Sequence, residues 1–216
     1  MEKLCATLVS QYVKILPESR TERELINLAG SSAGICYRAE DSESANKRRL
    51  LDCIRKGHTS VLEHAVISFE VRCDRGTSHA IVRHRHCAFT QESTIYTKYT
   101  RFSELQFIEL PTYDKYNKNF VYPEGYNERL LDYCQYATDK YTELLDIGLP
   151  AGIARDVLPN CTATIIKITT NFRELQAILK IRTQQSDSVR MHQIIAMLEA
   201  ELSAAYPELT KAIMGA

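Results

Sequence analysis

The sequence predicts a mixed α/β fold in which several helices surround a few strands, and three observations predict it. Residues 66–73 alternate, with Ile67, Phe69, Val71 and Cys73 on one side and Ser68, Glu70 and Arg72 on the other, the pattern of a half-buried strand. Longer stretches elsewhere repeat their apolar residues at helical spacing. Glycine and proline then fall where those stretches end.

In chain order, residues 22–38 and 44–56 have helical periodicity, and Gly57 stands just past the second, where glycine favours helix closure. Ser60 and Glu63 match a capping box ahead of the strand at 66–73. In 76–82, Ile81 and Val82 are apolar and Thr77 or Ser78 suits an N-cap, so a helix is expected to carry Arg83 and Arg85, roughly 200° apart around its axis. Residues 89–94 read as a polar, turn-like segment, and 107–110 suit a short strand. The stretch 112–125, rich in Tyr, Asn, Pro and Gly, is too aromatic for a disordered linker and reads as an ordered loop. A long helix at 126–147 places Leu130, Tyr133, Cys134, Ala137, Tyr141, Leu144 and Leu145 near one stripe and stops at Gly148 and Pro150. Residues 162–170 suit a strand, and Asn171 with Glu174 makes a capping pair that opens a helix running to Arg182. The last third is helical, with Ile194, Ile195, Met197 and Leu198 apolar and Pro207 starting a short final helix.

The chain has 216 residues, 44% hydrophobic and 25% charged, which suits one domain spanning 1–216. Its 27 basic and 27 acidic residues cancel. That balance argues against non-specific binding to nucleic acid or an anionic membrane, so phosphate recognition must come from a local cluster. Seven cysteines without a Cys-x-x-Cys spacing are expected to be reduced, mostly buried thiols of a cytoplasmic protein. The first residues lack a signal-peptide layout, and no apolar run approaches the roughly 20 residues of a membrane span.

The densest polar function lies at 83–93, where two arginines, two histidines, Gln91, Glu92 and Ser93 share eleven positions. His79, His84, His86 and Cys87 invite a zinc site. A helix would turn His84 away from His79 and His86, however, and no second pair has finger spacing, so no metal is expected. The run Arg83-His84-Arg85, seven residues, then Ser93 within Gln91-Glu92-Ser93-Thr94-Ile95-Tyr96, resembles the signature of the flavin-dependent thymidylate synthases. Gly57-His58-Thr59-Ser60 with Glu63-His64, Ala154-Arg155-Asp156-Val157-Leu158-Pro159, Asn171-Phe172-Arg173 and Ile181-Arg182 resemble further motifs of that family, in its order.

The resemblance implies a central, largely antiparallel sheet flanked by helices. It implies transfer of the one-carbon unit of methylenetetrahydrofolate to carbon 5 of dUMP through the N5 of reduced FAD, with NADPH as reductant. Arg83, Gln91, Glu92, Ser93, Thr94, Arg155 and Arg182 would contact the nucleotide. Arg182 would be the catalytic residue, favouring the ionised ring nitrogen N3 and so enriching carbon 5. His58, Ser60, Arg83, His84, Arg85, Gln91, Asn171 and Arg173 would hold the flavin, since no Gly-x-Gly-x-x-Gly is present. Ser93 would position rather than attack, and a homotetramer would assemble the site where subunits meet. Three positions depart from the family: Ile95 stands where an arginine normally helps hold the phosphate, Ala80 where glutamine is common, and Ala177 where a polar side chain faces the flavin. Lys98 and Arg101, in the following turn, are the nearest replacements for the lost charge. These departures leave open a flavin-dependent methylase or hydroxymethylase of another pyrimidine nucleotide, or a silent nucleotide-binding relative.

Overall fold

The computed structural model describes residues 4–99, 104–116, 123–184 and 187–215. Arg101 and part of the expected loop at 112–125 lie outside the described residues. The elements are β1 (Ala6–Val9), β2 (Tyr12–Ile15), α1 (Glu22–Ile35), α2 (Glu43–Arg55), a 3₁₀ turn (Thr59–His64), β3 (Val66–Asp74), α3 (Arg75–Ile81), β4 (Ala88–Gln91) and β5 (Leu105–Ile108). There follow α4 (Tyr126–Asp146), α5 (Ala151–Ala154), a second 3₁₀ turn (Arg155–Val157), β6 (Ala163–Asn171), α6 (Phe172–Ile181), α7 (Val189–Ala205) and α8 (Pro207–Met214).

β2, β3, β6 and β4 form an antiparallel sheet in that order, while β1 and β5 pair in parallel. The β3–β6 ladder is the spine, running from Val66 opposite Asn171 to Asp74 opposite Ala163. The alternation of β3 does what its pattern demands, burying Ile67, Phe69, Val71 and Cys73. On the same core lie Ile166 and Ile168 of β6, Phe172 and Leu175 of α6, and Ile194, Ile195 and Leu198 of α7. A second cluster joins Leu105 and Phe107 of β5 to Cys134 and Tyr141 of α4 and Ala154 of α5.

Local chemistry sets the boundaries. Thr21 and Glu24 form a full capping box on α1: the threonine hydroxyl accepts from Glu24 N, and the Glu24 carboxylate accepts from Thr21 N at 2.8 Å. α1 and α2 cross at Gly30, where a Cβ would lie 2.2 Å from the Asn46 carbonyl oxygen, so only glycine permits the approach. Ser188 caps α7, and Pro207 opens α8 as its sequence suggests.

Several expectations change. Helix α3 ends at Ile81, so Arg83 and Arg85 occupy the turn after it and do not ride on a helix. Its N-cap is Asp74, whose carboxylate accepts from Thr77 N at 2.8 Å and from the Thr77 hydroxyl at 2.6 Å, and neither Thr77 nor Ser78 caps it. Half of the expected turn at 89–94 is strand, because Ala88–Gln91 pair with β6. Ser60 and Glu63 form no capping box, since Glu63 is drawn into an ion pair with Arg173. The Asn171–Glu174 pair caps only one way: Asn171 Oδ1 accepts from Glu174 N at 2.9 Å, but the Glu174 carboxylate turns to His84. Helix α1 stops at Ile35 rather than 38, and the short strand expected at 107–110 sits at Leu105–Ile108. Tyr133 falls outside the buried stripe of α4. Three of the seven cysteines are buried (Cys73, Cys134 and Cys161), while Cys5 and Cys36 are exposed.

Candidate active site

Two polar clusters meet β4, one at each end. The turn 83–87 enters the strand, and 92–96 leave it. The first turn exists because His84 N donates to the Ile81 carbonyl at 3.1 Å, closing α3, after which β4 is drawn onto β6. Arg83 and Arg85 are exposed and make no side-chain hydrogen bond or ion pair among the described residues. With His84 and Phe89 they line a hollow of about 540 Å³.

Between them, His84 points inward. Its Nε2 accepts from Arg182 Nε at 3.0 Å, which places the ring proton on Nδ1, where it is donated to the Glu174 carboxylate at 3.1 Å. Burial above all, with the Arg182 charge beside it, holds His84 below the usual histidine range, against the opposing pull of Glu174. Arg182 closes α6 and also donates to the Ala80 carbonyl at 2.7 Å and to Asp187 at 3.2 Å. Three of its five N–H donors are therefore engaged inside the chain, which leaves two for a ligand.

Glu174 faces a cleft of about 850 Å³, a volume typical of cofactor sites, whose walls include Thr59, Asn171, Arg173, Ala177 and Lys180. Asn171 and Arg173 come together there because the β6-to-α6 junction presents both. Arg173 is paired with Glu63, and Asn171 uses its carbonyl oxygen as the α6 cap. His58 and Ser60 are exposed on either side of Thr59.

At the other end of β4, Arg155 Nη1 donates to the buried Thr94 hydroxyl at 2.8 Å. Ser93 Oγ accepts from the backbone N–H of Ile95 at 3.2 Å and of Tyr96 at 3.5 Å, so the hydroxyl shapes the turn, and no histidine bonds it among the described residues. Glu92 is fixed by its N–H to the Ile165 carbonyl at 2.9 Å. Gln91 turns inward, donating both N–H groups of its amide to Ser78 Oγ and Thr164 Oγ1 at 2.9 and 3.2 Å. Ile95 is 52% exposed and rests on Gly152. Lys98 is exposed and makes no side-chain contact among the described residues.

β4 spans roughly 13 Å at ordinary strand rise, so the Arg83–Arg85 turn and the Thr94–Arg155 pair lie toward opposite ends of one strand. The arrangement offers free guanidinium groups for phosphate at the first end, and at the second a buried hydroxyl held by an arginine. Sequence reasoning missed the partners of Arg182, namely Asp187 and the Ala80 carbonyl, because neither belongs to a local pattern. It also missed Arg75, whose Nη1 is buried without a hydrogen-bond partner.

The family model described as thymidylate synthase complementing protein matches residues 18–208. A flavin-dependent thymidylate synthase of Saccharolobus solfataricus is 29% identical over 205 residues, covering 92% of this chain and 75% of that protein. One from Geobacter sulfurreducens is 34% identical over 150 residues, covering 68% of this chain and 61% of its own length. Among solved structures, a UMP/dUMP methylase from Streptomyces cacaoi bound with 5-Br dUMP superposes with a TM-score of 0.74 at 21% identity, over 98% of this chain and 97% of that one. At that identity the likeness speaks for the fold.

Proposed function

The chain belongs to the thymidylate synthase complementing protein family, and on that premise we propose that it methylates carbon 5 of dUMP with a flavin, taken as FAD. Methylenetetrahydrofolate is the one-carbon donor and NADPH the reductant in this reading, and a homotetramer in the cytoplasm is its setting. What carries it is the Arg83–Arg85 turn, where two uncommitted guanidinium groups flank a histidine that holds Arg182.

A flavin, when bound, supplies the reducing power and carries the one-carbon unit. The groups present suit it. The cleft beside Asn171, Arg173 and Glu174 has the volume, and the free donors of Arg83 and Arg85 suit a pyrophosphate. Gln91 and His84 are exceptions in the set expected at the flavin, because both amide N–H groups of the first and both ring nitrogens of the second are engaged within the chain. His84 acts through Arg182, fixing the plane of that guanidinium. Arg182 would then direct its remaining N–H groups at the pyrimidine, stabilise the ionised ring nitrogen and raise the electron density at carbon 5. Arg155 and Thr94 with Ser93 would hold the rest of the nucleotide.

A second reading, methylation of another pyrimidine nucleotide such as UMP, comes from Ile95 and Ala80, which depart from the expected nucleotide contacts. The two are separated by incubating the purified protein with FAD, NADPH and methylenetetrahydrofolate against dUMP or UMP and weighing the nucleotide product. A methylated product from dUMP is expected. One from UMP alone would assign the ribonucleotide, and none from either would overturn the reading.

A further inference from the structure

We propose that Arg75 is an anion-binding residue of the nucleotide site, taking the phosphate of the pyrimidine nucleotide; this rests on the reading above. Arg75 Nη1 is buried and has no hydrogen-bond partner, an arrangement that costs free energy unless something outside the chain completes it. Such a cation at the base of a polar cluster points to a missing anion.

Its surroundings are those of the nucleotide cluster. Arg75 N donates to the Thr162 carbonyl at 3.1 Å and Gly76 N to the Asn160 carbonyl at 3.2 Å, which seats the start of α3 against the segment that follows Arg155. The Arg75 carbonyl accepts from Ser78 Oγ, and Ser78 Oγ accepts in turn from Gln91. On the other side, Tyr99 feels both Arg75 and Glu92: burial first, then the Glu92 charge, push its phenol up to about 12 against the opposing pull of Arg75. Gln91, Glu92, Tyr99 and Arg75 thus occupy one neighbourhood, yet no carboxylate lies within ion-pair distance of Arg75 among the described residues. Of the other candidates, Ile95 is apolar and Lys98 extends into solvent, which leaves Arg155, with one of its five donors on Thr94, to share the anion with Arg75.

The test compares dUMP with deoxyuridine, which lacks the phosphate, by calorimetry on the FAD-saturated protein. Arg75→Gln is expected to weaken dUMP binding about ten- to hundred-fold, the scale of one charge-assisted contact, while leaving deoxyuridine binding and flavin content unchanged. Arg75→Lys, which keeps the charge, serves as a second variant should the first fold poorly, and it should lose less. Adding Ile95→Arg, next to Thr94, should restore most of the affinity lost in Arg75→Gln. Equal losses for dUMP and deoxyuridine, or none for dUMP, would overturn the proposal. Inorganic phosphate is the independent probe: Arg75-dependent phosphate binding in a protein that ignores pyrimidine nucleotides would sink the methylation reading and keep the anion site. Binding of neither probe by the unmodified protein would overturn both.

Discussion

The Glu174–His84–Arg182–Asp187 chain shows how few groups decide the chemistry at the residue scale. Asp187 neutralises Arg182, so it opposes an anionic ring approaching the same guanidinium, by about 1 kcal/mol for a solvated charge some 4 Å away and more where water is excluded. Asp187→Asn keeps an acceptor but removes the charge. It is expected to tighten dUMP binding several-fold by calorimetry, whereas weaker binding would mean that the carboxylate orients Arg182. His84 makes a prediction about pH. A histidine held below its usual range when folded takes up a proton more readily when unfolded, so its contribution is complete above about pH 6.5 and declines as the pH falls through that value toward the folded pKa. Urea midpoints should therefore drop between about pH 7 and pH 5, and His84→Gln should flatten that slope; an unchanged slope would show that other groups set it. The Arg-His-Arg run stands out in the sequence as a candidate site because so much polar function in so few residues has no use in a core. Arg75 was not, because being orphaned is a property of its neighbours and not of its own place in the sequence.

Elements were legible in proportion to their length. β3 has nine residues of alternation, and α4 has 21 residues of helical repeat, enough for the pattern to speak by itself. β1 and β2 have four residues each and draw their stability from β5 and β3, distant in sequence, so no local pattern marks them. The helix expected to carry Arg83 and Arg85 fails for the same kind of reason: the chain beyond Ile81 gains more from pairing with β6 than from another helical turn. Two variants test the elements that hold the scaffold. Thr21→Ala removes one half of the α1 capping box and should lower stability by about 1 kcal/mol in urea unfolding, without touching nucleotide affinity. Gly30→Ala should cost more than that, because its methyl group would meet the α2 backbone and force the two helices apart. A Gly30 variant as stable as the parent would mean that the crossing has slack.

For the whole molecule, the two clusters lie at opposite ends of an edge strand, and apolar side chains surround the second of them. Ile95, Tyr96 and Ile153 are exposed by half or more, with Ile95 resting on Gly152. A patch of this kind beside an incomplete site suits contact with another copy of the chain. Ile153→Glu is accordingly expected to reduce the mass seen by light scattering and to lower flavin retention together. A monomeric parent protein would contradict assembly through this patch, and loss of assembly with full flavin retention would separate the cofactor site from the interface. The balanced charge fits this picture, since recognition of phosphate then falls to a few arginines rather than to an overall field. Attack at carbon 5 of dUMP is read by the release of tritium from dUMP labelled at that carbon. Release that requires FAD, NADPH and methylenetetrahydrofolate, and that is lost in Arg182→Ala, is the predicted result. A protein that binds FAD and dUMP yet releases no tritium would contradict the account.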